Sequence, residues 1–169
     1  FQQVDRFQLA MVEQPLQHDD LIAHSALQAQ IQTPVCLDES MTTPRRAEQA
    51  ISMKSCQFVN IKPGRVGGLT NAVAIHDICQ QAGIPCWVGG MLESALGGSI
   101  CVELATLENF TYPGDLFPSS RFYVRDLSEP PMVFAEDHTF KPFTDELPSP
   151  NPELLAAQTR HQKTVTEIP

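Results

Sequence analysis

Three intervals of nearly equal length constrain this chain more than any other feature. Glu13 and Asp38 lie 25 residues apart, Asp38 and Lys62 24, and Lys62 and Gly89 27. Each of these residues closes a short apolar run: Leu9-Ala10-Met11-Val12, Val35-Cys36-Leu37, Phe58-Val59-Asn60-Ile61 and Pro85-Cys86-Trp87-Val88. Helix signals fill the gaps. Asp19 or Asp20 supplies an N-cap for a helix with Leu21, Ile22, Ala26 and Leu27 on one face. Thr42 or Thr43, followed by Pro44, opens a second helix running to about Met53. A third runs from Thr70 to about Ala82 and stops at Gly83. Short strands without apolar/polar alternation, each followed by one helix, are the mark of βα units and a parallel sheet buried on both faces. The fold class is therefore α/β. A further helix is expected from Ser94 to about Leu107, and the pattern loosens after Tyr112-Pro113-Gly114-Asp115.

In such sheets the chemistry lies at the carboxyl ends of the strands. The polar residues collect there: Glu13, Asp38, Glu39, Asn60, Lys62 and Glu93. Pro63 cannot donate to a sheet ladder, so the third strand should end at Lys62 and a glycine-rich turn should follow, with the lysine projecting above the sheet. Two carboxylates on neighbouring parallel strands, roughly 5 Å apart at the backbone, repel unless one is protonated or a cation joins them. Hard oxygen ligands suit magnesium, with manganese as an alternative, and magnesium fills its remaining positions with water and substrate. A nearby divalent cation and desolvation both disfavour a charged ammonium, which makes a lysine on the next strand a usable general base. The chemistry these groups suit is removal of a proton next to a carboxylate, with positive charge holding the enolate that forms.

Composition narrows the class further. The chain has 169 residues, a net charge of −9 and 42% hydrophobic residues, enough for one real core. The acidic balance argues against nucleic acid and anionic membrane surfaces as partners. No apolar run approaches the roughly 18 residues of a spanning helix, and no secretory leader is evident. The five cysteines contain no CxxC pair, which argues against a disulfide framework or a zinc site and fits a reducing cytoplasm. Cys36, Cys86 and Cys101 read as small buried hydrophobes. The chain opens at Phe1, in what reads as a helix end, so it is expected to be the carboxyl-terminal part of something longer or a processed or truncated product.

Met11-Val12-Glu13-Gln14-Pro15-Leu16, Cys36-Leu37-Asp38-Glu39-Ser40, Asn60-Ile61-Lys62-Pro63 with Gly67-Gly68-Leu69, and Gly89-Gly90-Met91-Leu92-Glu93-Ser94 together resemble the enolase superfamily. The likeness is to its o-succinylbenzoate synthase and N-acylamino acid racemase branch. Asn109 to Asp115 and Ser119-Ser120-Arg121-Phe122-Tyr123 extend it to about residue 127. The resemblance implies that residues 1–127 form the second half of an enolase-type (β/α)₇β barrel, about strands four to eight. Residues 128–169 would be an extension returning to a capping domain and partly irregular. It implies Glu13 and Asp38 as two of three magnesium ligands and Lys62 as an acid/base catalyst or enediolate stabiliser. Glu39 and Asn60 would orient these groups, and Gly90, Met91, Glu93 and Ser94 would meet a small carboxylate substrate.

The family's third metal ligand and its Lys-x-Lys pair come from earlier strands and are not in this chain. The expected function is magnesium-dependent proton abstraction alpha to a carboxylate, leading to o-succinylbenzoate in menaquinone or phylloquinone biosynthesis or to racemised N-acylamino acids. The alternative is a catalytically incomplete barrel fragment that acts as a structural or interaction module. Such a fragment would pair with itself or with a missing amino-terminal half through the exposed edge at residues 9–13. Gly67-Gly68 completes no phosphate-loop pattern. The five histidines show no ligand spacing and read as surface or satisfied groups. Trp87 reads as core, and Arg45 and Arg46 as a solvated helix face.

Overall fold

The computed structural model describes residues 1–144 and 146–163. Residue 145 and residues 164–169 of the expected irregular tail lie outside the described residues. The chain divides into two compact units, residues 1–91 with 100–117, and residues 92–99 with 118–169.

The first unit is built on a parallel sheet. Its strands are β1 (Val12–Glu13), β2 (Val35–Leu37), β3 (Phe58–Ile61) and β4 (Cys86–Val88), in the order β1-β2-β3-β4. All three pairings are parallel, with Glu13 beside Cys36, Leu37 beside Val59 and Ile61 beside Val88. Residues 110–115 continue the sheet past β4 through parallel bridges of Phe110 to Cys86 and Asp115 to Gly89. The sequence pattern fades at this point because the segment makes only isolated bridges. A short α1 (Gln2–Asp5) precedes the sheet, and α2 (Leu21–Gln28), α3 (Pro44–Ser52) and α5 (Leu69–Gln81) connect its strands.

Local signals set the helix starts. Asp20 accepts the Ala23 N–H at 2.8 Å, and Thr43 accepts the Arg46 N–H at 3.2 Å with Pro44 in the first turn. The α2 face differs from expectation. Ile22 is 72% exposed, and the buried side carries Leu21, His24 and Gln28. Polar groups go inward there because each is satisfied. Gln28 Oε1 accepts the Val35 N–H at 2.7 Å, while its Nε2 donates to the Ile31 and Thr33 carbonyls, fixing the entry into β2. Arg46, expected as a solvated residue, donates to the Asp19 carbonyl at 2.7 Å.

The strand pleat gives the sheet two unlike faces. Val35, Leu37, Val59, Ile61, Cys86 and Val88 join one hydrophobic cluster with Ala47 and Ala50 of α3 and Ala72, Ile75 and Cys79 of α5. Cys36, Asn60 and Trp87 alternate with these side chains, and so stand on the other face. Trp87 is buried as expected, but on this second face, where its Nε1 donates to Cys36 Sγ at 3.2 Å. None of the five cysteines is in a disulfide, and all five are buried. β3 ends at Ile61. Lys62, still extended, caps the one-turn helix α4 (Pro63–Val66), which replaces the expected glycine turn and ends at left-handed Gly67.

The second unit contains the first turn of α6 (Ala95–Leu104), the antiparallel pair β5 (Ser128–Glu129) and β6 (Ser149–Pro150), and α7 (Pro152–Gln158). Asp126 Oδ2 accepts the Ala95 N–H at 2.8 Å and Ser128 Oγ the Leu96 N–H at 3.0 Å, so two of the free donors of that helix start are used. Met132, 4% exposed, packs where a side chain on Gly98 would stand. No helix among the described residues is long and apolar enough to cross a membrane.

Candidate active site

The carboxyl ends of β1, β2 and β3 bring Glu13, Asp38, Glu39, Asn60 and Lys62 together, and α4 adds Arg65. Asp38 is 3% exposed and sits between two cations. Lys62 Nζ lies 3.0 Å from its Oδ2, and the Arg65 guanidinium donates to its Oδ1. Burial pushes the Asp38 carboxyl up from its ordinary value, and the charge and hydrogen bond of Lys62, with the charge of Arg65, pull against it. Asn60 Nδ2 donates to Glu13 Oε1 at 2.6 Å across the intervening β2. This requires Glu13 and Asn60 to share a face of the sheet. Glu39 is more loosely held, with its Oε1 4.0 Å from Arg65 Nη2 and its side chain 51% exposed.

Cys36 lies beneath these groups. Its thiol is pushed up to about 12 by burial, which outweighs the Trp87 hydrogen bond, and the charges of Glu13 and Asp38 add to the rise. It is an inert packing thiol rather than a nucleophile.

Lys62 and Asn60 fit only because Gly89 lacks a side chain. A Cβ there would stand 2.3 Å from Asn60 Oδ1 and 2.4 Å from Lys62 Cε. Asn60 Oδ1 is buried and has no hydrogen-bond partner among the described residues, an acceptor left open beside the charged groups. Gly90 is a glycine for a different reason. Its N–H donates to the Asp115 carbonyl at 2.8 Å, and a Cβ would press on that same oxygen. Met91, which follows, is 48% exposed. Glu93 and Ser94 belong to the second unit, where the Ser94 carbonyl accepts the Gly98 N–H at 2.8 Å at the start of α6.

Arg65 was not singled out from the sequence. The available signal was Pro63: a proline immediately after Lys62 is also a proline at the first position of a helix. A helix starting there returns Arg65 one turn later to the side of its cap residue, three positions back.

The donor set suits a hard divalent cation in part. Glu13 and Asp38 offer carboxylate oxygens, and Asp38 already accepts two positive groups. Among the described residues, no cluster of three His, Cys, Asp or Glu side chains is gathered to hold a metal. Two carboxylates with water and substrate completing the shell is an ordinary magnesium arrangement.

Residues 1–142 match the family model described as "Enolase C-terminal domain-like". An N-succinylamino acid racemase from an Amycolatopsis species is 48% identical over 153 residues, covering 90% of this chain and 41% of that protein. An o-succinylbenzoate synthase from Geobacillus stearothermophilus is 50% identical over 127 residues, covering 75% of this chain and 34% of that protein. The crystal structure of an enolase-superfamily member from Listeria innocua superposes with a TM-score of 0.85 at 34% identity, covering 94% of this chain and 43% of that one. The chain thus spans less than half the length of these relatives. Parallel βα units, a strand-end cluster of two acids and a lysine, and a match over residues 1–142 agree, and the chain belongs to the enolase C-terminal domain-like family.

Proposed function

We propose that this chain carries part of the active site of an enzyme that removes the proton alpha to a carboxylate, acting as an o-succinylbenzoate synthase, an N-acylamino acid racemase or both. The observation that carries this reading is the pairing of Lys62 with Asp38 at 3.0 Å, on the same sheet face as Glu13 and Asn60. Relatives bearing both activities in their names, at 48% and 50% identity, support it.

Glu13 and Asp38 are the residues that would hold magnesium, with manganese as a substitute. When bound, the metal supplies positive charge against the negative charge that develops on the substrate carboxylate. Lys62 moves the proton at the alpha carbon, as acceptor or donor in racemisation. In dehydration its ammonium stabilises the enolate while a base outside this chain takes the proton. Asp38 orients the lysine arm, and Asn60 fixes Glu13. Partial burial of Lys62, at 14% side-chain exposure, limits water at the reacting amine. Gly90 and Met91 would border the substrate, with Glu93 and Ser94 as further candidates. Five buried cysteines outside any disulfide fit work in a reducing cytoplasm.

The test is alpha-proton exchange in heavy water on the full-length protein, with and without magnesium. The substrates are the o-succinylbenzoate precursor and an N-succinylamino acid. Metal-dependent deuterium uptake that disappears in Lys62→Ala supports the reading. Undiminished racemisation of the N-succinylamino acid by Lys62→Ala, or no exchange with either substrate class in the parent, overturns it.

A further inference from the structure

We infer that Gln14 is a positioning residue that sets the placement of Asp38 relative to Glu13, a role that rests on reading these two acids as metal ligands. Gln14 directly follows Glu13 and adopts φ +37°, a left-handed conformation that non-glycine residues rarely take. Strain of this kind persists only where surrounding contacts over-determine it. Here they do. The Gln14 backbone N–H donates to the Cys36 carbonyl at 2.8 Å, which binds it to β2. Its side-chain Oε1 accepts the Asp38 N–H at 3.0 Å and the Ser40 N–H at 3.1 Å. Two backbone donors on one oxygen also fix which end of the amide is which.

The other end of the amide is equally committed. Gln14 Nε2 donates to Ser40 Oγ at 2.9 Å and to the Leu16 carbonyl at 3.3 Å, and lies 3.3 Å from His24 Nε2. His24 is wholly buried, and its Nδ1 faces the Asp20 carbonyl at 2.7 Å. A carbonyl can only accept, so Nδ1 carries the proton and the neutral ring presents Nε2 as an acceptor. That acceptor receives the Leu16 N–H at 3.3 Å, while the two Gln14 Nε2 hydrogens go to Ser40 Oγ and the Leu16 carbonyl. Ser40, itself buried, passes its own proton to the His18 carbonyl at 2.7 Å. The network therefore ties the end of β1 and the start of α2 to the loop leaving β2. Through it, the backbone that carries Asp38 is registered against the residue next to Glu13.

The experiment uses full-length protein and manganese as a spectroscopic stand-in for magnesium, with binding followed by electron paramagnetic resonance. Gln14→Met keeps the side-chain length and removes the hydrogen bonds. It should raise the manganese Kd about tenfold or more, the range for partners that orient ligands without touching metal. It should also speed amide exchange at Asp38 to Ser40, read by mass spectrometry. A Kd within about twofold of the parent overturns the proposal, taking twofold as the scatter of a weak hydrogen-bond effect. Should Gln14→Met not fold, Ser40→Ala carries the test, with a rise of roughly threefold expected and an unchanged Kd overturning it. Glu13→Gln and Asp38→Asn are the controls. If these bind manganese as the parent does, the reading of the two acids fails and the role of Gln14 falls with it. If they lose the metal and Gln14→Met does not, the role of Gln14 alone is refuted.

Discussion

The two faces of the parallel sheet are made by neighbouring residues of the same strands, yet they obey different rules. On the helix side, Val35, Leu37, Val59, Ile61 and Cys86 are 0% exposed and Val88 is 1% exposed, and all are apolar. Each fully buried aliphatic side chain there contributes about 1.5–3 kcal/mol, with no requirement on direction. The opposite face holds two carboxylates, an amide, an amine, a thiol and an indole. Its order comes from directed contacts: Asn60 to Glu13, Lys62 and Arg65 to Asp38, Trp87 to Cys36. One acceptor there, Asn60 Oδ1, is left without a partner among the described residues. Burial holds the first face. The second carries desolvated charge and an unmet hydrogen bond, which stability alone would not select. The difference teaches that the strand period of two lets one short segment serve both ends, so adjacent substitutions should fail in different assays.

The pair Ile61 and Lys62 gives the largest contrast. Lys62→Ala should lower alpha-proton exchange by about 10³-fold or more, within the range for loss of a positioned acid/base group. Its melting temperature should change little by comparison. Full exchange activity in this variant would break the division between the faces at its strongest point.

Leu37→Ala is the converse, one residue before Asp38. Removing a side chain with 0% exposure should cost about 3 kcal/mol in denaturant unfolding of the full-length protein. The manganese Kd of the folded fraction should stay near the parent value. A strong loss of metal binding without loss of stability would show that the two faces are not separable.

How much of this was legible beforehand differs by face as well. The βα spacing, the strand-end placement of Glu13, Asp38 and Lys62, and the caps at Asp20 and Thr43 are local or periodic features, and the structure has each of them. The α2 face was misjudged at Ile22 because hydrophobicity was read without tertiary partners. His24 and Gln28 go inward because backbone groups of other segments satisfy them. Arg65 and Gln14 were missed for a related reason. The guanidinium reaches Asp38 only once Pro63 is read as a helix start, and Gln14 matters through a backbone angle and contacts to residues 24 to 26 positions away. Neither periodicity nor residue type encodes such contacts.

Gly89 joins the two faces, since its neighbour Val88 belongs to the helix-side core. A Cβ at Gly89 would overlap Lys62 Cε and both polar atoms of the Asn60 side chain. Gly89→Ala should therefore displace the lysine arm and reduce exchange by roughly tenfold to a hundredfold, as expected for a misplacement near 1 Å. Its φ is not in the left-handed region, so backbone strain should add little. Parent-like exchange in Gly89→Ala would mean that Lys62 is not used in the position seen here.

The smallest expected effect lies in the helix layer that the apolar face packs against. Thr43 accepts the Arg46 N–H at 3.2 Å at the start of α3, so Thr43→Ala should cost about 1 kcal/mol. The contact is exposed and local, and Ala47 and Ala50 remain to bind α3 to the sheet. The loss should therefore appear in the unfolding midpoint and not in the manganese Kd or in the exchange rate. Thr43 stands five residues past Asp38 on the same connection, the loop in which Gln14 grips the Ser40 N–H at 3.1 Å. If Thr43→Ala weakened metal binding several-fold, the start of α3 would be part of the device that positions Asp38. The boundary between scaffold and site would then run through that loop rather than along the pleat of the sheet.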